Sequence, residues 1–240
     1  MNLGPLASSM NYLLERLFDL TGHPVVAILL LSVCVKLILL VPVRISERLQ
    51  KKVNEDRSRV EPVLRGLKAK YSGEELHRKT LEAYRELRIH PAHTLRSLLG
   101  PAIQIPFFFA AFHALEHSPI FAGVSFLWIE NLAEPDALFA LPLELPWFGA
   151  SFNALPFLMT GLTLIASGIA EQEGLSQELL RKQRKALYLM ALFFFVLLYP
   201  FAAAMVIYWT MNNLLSVVRA CLERLSAKRR AVCVFPQRAK

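Results

Sequence analysis

Five long apolar runs, set between blocks of lysine and arginine, constrain the fold of this chain more than any other feature. They cover residues 25–43, 98–115, 149–169, 186–200 and 202–218, and Lys36 is the only Asp, Glu, Lys or Arg inside them. A helix needs roughly 20 apolar residues to cross a hydrocarbon layer about 30 Å thick. A soluble domain would instead interleave polar and apolar positions throughout its length. With 55% hydrophobic and 19% charged residues, the composition is that of a polytopic membrane protein. The expected fold class is therefore all-α: a bundle of five transmembrane helices. The fourth run is short, which suits little tilt or a locally thinned bilayer.

The cations set the orientation. Of the 27 Lys and Arg residues, 25 lie in three segments, 44–97, 171–185 and 219–240, and none lies in 117–150. The positive-inside rule then predicts an outer N-terminus, a cytosolic C-terminus and two cytosolic loops. It divides the rest of the chain into an outer amphipathic segment 1–24, a cytosolic hairpin 44–97, an outer surface loop 116–148, a cytosolic loop 170–185 and a basic tail 219–240. The net charge of +8 is explained by this topology without any specific nucleic acid partner. Residues 1–23 lack the pattern of a cleaved leader, so the first run is expected to stay in the mature protein. Cys34, Cys221 and Cys233 show neither ligand nor disulfide spacing.

Residues 44–92 read as two amphipathic helices. Leu49, Val53, Val60, Leu64, Leu67 and Tyr71 form one apolar stripe, and Leu76, Thr80, Ala83, Tyr84 and Leu87 form another. Ser72-Gly73 supplies a turn between them, and Pro62 is expected to bend the first helix. The two stripes predict an antiparallel hairpin. Its basic outer faces suit a solvated surface near anionic lipid, a docking surface for a ribosome, or both.

The informative residues are those a bilayer should reject. A charge at the bilayer centre costs about 2.5–3.5 kcal/mol on insertion scales. Lys36 sits seven residues from the cytosolic end of its run, about 10 Å deep at the helical rise. Gln104, Thr163, Asn212 and Asn213 fall at similar depths in three other runs. Snorkelling of Lys36 alone would not gather the other four. Two arrangements would: a shared water-filled groove, or hydrogen bonds that join the helices. Tyr208 and Trp209, just before the asparagines, are candidates for substrate contact or for packing.

Several segments together resemble the YidC family of membrane protein insertases. They are "AILLLSVCVKLILLVPV", "VEPVLRGLKAKYSGEE", "EAYRELRIHP", "IQIPFFFAAFHAL", "FLWIENLAEPDALFALP" and "AMVIYWTMNNLLSVV", in that order. The resemblance covers about residues 22–225 and implies a short form without the large outer domain of some members. It implies a five-helix core with a hydrophilic, positively charged groove, open to cytosol and lipid and closed outside. Polar segments of a nascent membrane protein enter that groove while the apolar segment slides into lipid. Lys36, Gln104, Thr163, Tyr208, Trp209, Asn212 and Asn213 would form the groove, and Phe107, Phe108, Ile207 and Leu214 an apolar slide. Nascent membrane proteins are the implied partners, with the Sec translocon, ribosome and anionic lipids beside them. No cofactor, nucleotide, metal or enzymatic step is implied. Two departures stand out: the family usually carries arginine where this chain has Lys36, and "AHTLRSLLGPA" replaces a shorter, glycine-containing stretch.

His113 and His117 fit an H-x-x-E-H zinc motif, but no third ligand is apparent and the pair sits where a span meets water. The other alternative is a small-solute or ion transporter or channel. That class favours inverted repeats and interrupted helices, which this sequence lacks.

Overall fold

The computed structural model describes residues 4–89, 99–169 and 177–234. Residues 92–98 of the stretch that departs from the family pattern, residues 170–176 of the expected second cytosolic loop and the end of the tail therefore lie outside the described residues. The fold is mostly helical. The helices are α1 (Gly4–Thr21), α2 (Pro24–Lys70), α3 (Gly73–Glu86), α4 (Leu99–Glu116), α5 (Leu155–Ile169), α6 (Gln177–Leu198) and α7 (Ala203–Val234). Between α4 and α5 lie a 3-10 turn (Pro119–Phe121) and two antiparallel strands, β1 (Phe139–Leu145) and β2 (Gly149–Phe152). The sheet adds to the all-α expectation, in a segment read as loop and at the start of a run read as span. Gly149 begins a strand, and the helix of that run begins only at Leu155.

The first run and the first helix of the expected hairpin are one 47-residue helix, α2, which contains Pro42 and Pro62. No glycine or turn signal falls between Val43 and Ser46, and the helix continues through Pro42 despite its missing N–H. Among the described residues, α2 is the one helix that is both long and continuously apolar enough to cross a membrane by length and composition; Ala102–Glu116 and Leu155–Ile169 are shorter apolar helices.

The chain forms two compact units. The first comprises residues 1–37, 107–171 and 186–240, the second residues 38–106 and 172–185. In the first, α2 buries Ala27, Ile28, Leu31 and Val35 at helical spacing, and α4 buries the small residues Ala110, Ala111 and Ala114. Small residues let helix backbones approach closely where lipid offers no hydrophobic gradient. Large apolar side chains stay exposed on the outside: Phe157, Leu158 and Ile165 on α5, Leu189, Leu192 and Phe193 on α6, and Val218 on α7. Such a surface is out of place in water and suits an apolar medium.

In the second unit, Val53, Val60 and Ala83 are buried, the other residues of the two predicted stripes are half-buried, and most positions between them are exposed. The stripes thus mark the faces withdrawn from solvent. A quartet of charges ties α2 to the start of α6. Lys182 Nζ donates to Glu61 at 2.8 Å and lies 3.3 Å from Glu178, while Arg65 pairs with Glu178. The Lys182 hydrogen bond holds the Glu61 carboxyl below the usual carboxylate range.

Candidate functional site

The first unit has a sealed end and a polar layer beyond it. At the sealed end, Asp136 is 3% exposed and Asn153 1%. Asp136 Oδ2 accepts the Trp128 indole N–H at 3.0 Å and the backbone N–H groups of Ala154 and Leu155 at 2.7 and 3.0 Å. A carboxylate at the start of α5 satisfies orphan helix donors and complements the helix dipole. Asn153 accepts from the Ala137 N–H and donates to Tyr199 O at 2.8 Å, while Tyr199 Oη accepts the Asn153 N–H at 3.1 Å. The start of α7 is tied down likewise. The N–H groups of Ala203 and Ala204 donate to the carbonyls of Glu134 and Leu132, at 2.7 and 3.0 Å. Phe121, Ile129 and Leu132 fill the space beneath, and α7 is buried from Ala203 through Tyr208. Within the segment read as a surface loop, Phe121, Ile129, Leu132 and Asp136 are thus packed inward and cover this end of the unit, while most other positions are exposed. Trp147, at the turn between the strands with a φ of 70°, donates its indole N–H to Val196 O at 2.7 Å.

One to three helical turns further along α7 the burial changes. Lys36, Thr163, Asn212, Asn213 and Ser216 are all half-buried. On α2, Ser32 and Lys36 lie one turn apart and face α7. Ser32 Oγ donates to Ile28 O at 3.0 Å on its own helix and lies 3.4 Å from Tyr208 O, and Lys36 Nζ donates to Asn212 O at 3.4 Å and Ser216 Oγ at 2.9 Å. Asn213 points a third of a turn away, toward α5. Its Nδ2 donates to Thr163 Oγ1 at 2.8 Å and Met159 O at 3.3 Å, and Arg224 reaches Gly168 O further on. Partner numbers rise together along all three helices, so α2, α5 and α7 run in the same direction. That is the order in which first, third and fifth spans would cross a membrane.

Four of the seven expected groove residues thus meet: Lys36 with Asn212, and Thr163 with Asn213. Tyr208 is buried and receives the Asn212 Nδ2 hydrogen bond on its carbonyl at 2.9 Å. Trp209 packs edge-on against Phe108, with centroids 4.8 Å apart, and against Phe194 at 5.0 Å. Gln104 is exposed and belongs to the second unit. Of the expected slide residues Leu214 is exposed, whereas Ile207 is buried and offers no open face. The rings of His113 and His117 lie 4.3 Å apart, and among the described residues no third His, Cys, Asp or Glu completes a metal-holding group. Ser216, Asp136 and Asn153 went unmarked in the sequence. A serine inside an apolar helix is common, Asp136 falls in a segment read only as an outer loop, and Asn153 falls in a run read as a span.

The sequence profile of the 60Kd inner membrane protein family matches residues 16–228. The chain belongs to this family. Proteins named membrane protein insertase YidC are similar to it over most of its length. The one from Treponema denticola is 26% identical over 232 residues, covering 95% of this chain and 38% of that protein. The one from Chlamydia muridarum is 29% identical over 224 residues, covering 90% and 27%. The one from Pelobacter propionicus is 27% identical over 220 residues, covering 88% and 37%. The chain thus spans 27% to 38% of the length of these relatives. Membership in the 60Kd inner membrane protein family makes it a bacterial inner membrane protein. The family match takes in all of the second unit, most of the first and every residue of the polar layer.

Proposed function

We propose that this chain is a membrane protein insertase that passes hydrophobic segments of nascent proteins from the cytosol into the bilayer. The observation that carries this reading is the Lys36 ammonium, set inside an apolar run and hydrogen-bonded to α7 in a layer that is only half-buried. In the proposed topology the chain spans the membrane five times, with an outer N-terminus and a cytosolic C-terminus. The parallel course of α2, α5 and α7 supports that arrangement. The sealed end then faces outward and the polar layer opens toward the cytosol and the lipid.

The mechanism follows from the dielectric. A unit charge pair at 4 Å is worth about 1 kcal/mol in water and about 4 kcal/mol near a protein surface of effective dielectric 20. Lys36 in its half-buried setting draws an acidic or polar outer segment into the layer far more strongly than the same lysine in bulk water. Hydration there shortens the apolar distance which that segment must cross. Burial of the substrate's own apolar helix, at about 25 cal/mol per Å², drives the transfer. Nucleotide hydrolysis has no part in the scheme. The second unit, with its basic surface and charge quartet, is the proposed face toward ribosome, Sec translocon and anionic lipid headgroups.

The test is replacement of the chain's counterpart in cells depleted of their own insertase. Lys36→Glu is expected to reduce insertion of proteins with acidic outer tails about tenfold or more, since it removes one charge and adds its opposite. Crosslinks from position 36 to a stalled nascent membrane protein are expected in the unaltered background. Normal insertion by Lys36→Glu, together with no crosslink, would overturn the reading.

A further inference from the structure

Ser216 has a specific relation to the intramembrane cation. Its Oγ lies 2.9 Å from Lys36 Nζ and 2.9 Å from Asn212 O, the carbonyl one turn earlier on α7. A serine hydroxyl carries a single proton. The ammonium has no lone pair to accept it, so that proton goes to Asn212 O. The oxygen lone pairs of Ser216 are thereby turned toward Lys36. Asn212 O also accepts from the ammonium, at 3.4 Å. Serine and carbonyl together form a two-oxygen seat on one helix for a charge carried by another.

The seat answers a problem that lysine poses. Its charge is compact and rides on a flexible four-carbon stem, with no rigid fork to hold a direction. Left to itself such a side chain bends toward the nearest bulk water. Here the stem ends instead against α7, in the same layer as the Asn213–Thr163 hydrogen bond.

We infer that Ser216 is the positioning residue for the Lys36 charge, and that by seating the ammonium on α7 it sets the preference for acidic over neutral substrate segments. This rests on the insertase reading. Ser216 acts through Lys36. A carboxylate entering the layer meets an ammonium already held in place by a neutral hydroxyl.

The experiment uses the full chain reconstituted in lipid vesicles, with two substrates sharing one apolar segment. One has an outer tail containing Asp and Glu; the other has Asn and Gln at the same positions. Protease protection gives the ratio of acidic to neutral insertion. Ser216→Asp, which sets a permanent carboxylate against Lys36, is expected to lower the ratio about tenfold. Ser216→Ala is expected to lower it about threefold, and Ser216→Thr, which keeps the hydroxyl, to restore it. A merely structural role would move both substrates together and leave the ratio unchanged, which would overturn the inference. Lys36→Met separates the two levels of the argument. If it lowers the ratio while the Ser216 variants do not, the positioning role fails and the insertase reading stands. If Lys36→Met also leaves the ratio unchanged, the charged layer itself is refuted.

Discussion

The sealed end and the polar layer are built from the same helices and treat polar groups in opposite ways. At the sealed end Asp136 and Asn153 are almost wholly buried, and their acceptors and donors are matched to backbone groups at close range. In the layer around Lys36, polar groups also meet partners, but each side chain remains half-buried. Full burial makes each hydrogen bond costly to lose and so rigidifies the sealed end. In the proposed mechanism, partial burial keeps the cation reachable. On that proposal, closure and access are separated along one helix, α7, whose residues from Ala203 to Tyr208 are buried and whose asparagines are half-buried.

Mutations at the two places should differ in kind. The largest effect on stability is expected from Asp136→Ala, which strands the Trp128 indole and two backbone N–H groups. A loss of about 3 kcal/mol or more is expected, read from denaturant unfolding in detergent micelles. Lys36→Met is expected to change stability by no more than about 1 kcal/mol in either direction, because it removes a half-buried charge along with its hydrogen bonds. An equal loss at both sites would erase the distinction between sealed end and layer. Thr163→Val removes the side-chain acceptor of Asn213 and should cost about 1 kcal/mol, with Met159 O left as a second acceptor.

The smallest effect belongs to the second unit and depends on pH. The Glu61 carboxyl titrates below its ordinary range because Lys182 donates to it. Its contribution is therefore complete above the ordinary carboxylate pKa and is lost as pH falls through the lowered value. Unfolding of Glu61→Gln and of the unaltered chain should differ slightly at neutral pH and converge in acid. Added salt should narrow the difference at neutral pH. A gap that persists in both acid and high salt would show that the quartet does not act through charge.

How much could be read beforehand depends on how unusual a residue is in its setting. Lys36, Asn212, Asn213 and Thr163 stand out because an apolar run leaves them unexplained, and the structure brings them together in pairs. The hairpin stripes were legible because period and burial share one cause, the helix face. Ser216 carries no such signal, since a serine hydroxyl can satisfy itself on the preceding turn of its own helix. Asp136 and Asn153 act through backbone groups of residues far along the chain, and no local pattern announces that. The β1–β2 hairpin did leave a trace: Phe139, Leu141, Leu143 and Leu145 alternate with smaller or polar residues before Pro146 and Gly149. Absence of Lys and Arg drew the segment into an outer loop and hid that alternation. The unbroken α2 was hidden because its apolar pattern changes from all-round to one-sided near Arg44, just after Pro42, a residue that the helix nevertheless accommodates.

Water access to the layer is the claim on which everything else depends, and side-specific labelling measures it. Single cysteines at Asn213 and at Ala204, in a chain with Cys34, Cys221 and Cys233 replaced, would be exposed to a membrane-impermeant maleimide in vesicles of either orientation. The account predicts that position 213 reacts from the cytosolic side alone and position 204 from neither side. Reaction of 213 from the outer face, or protection of 213 from both, would contradict it.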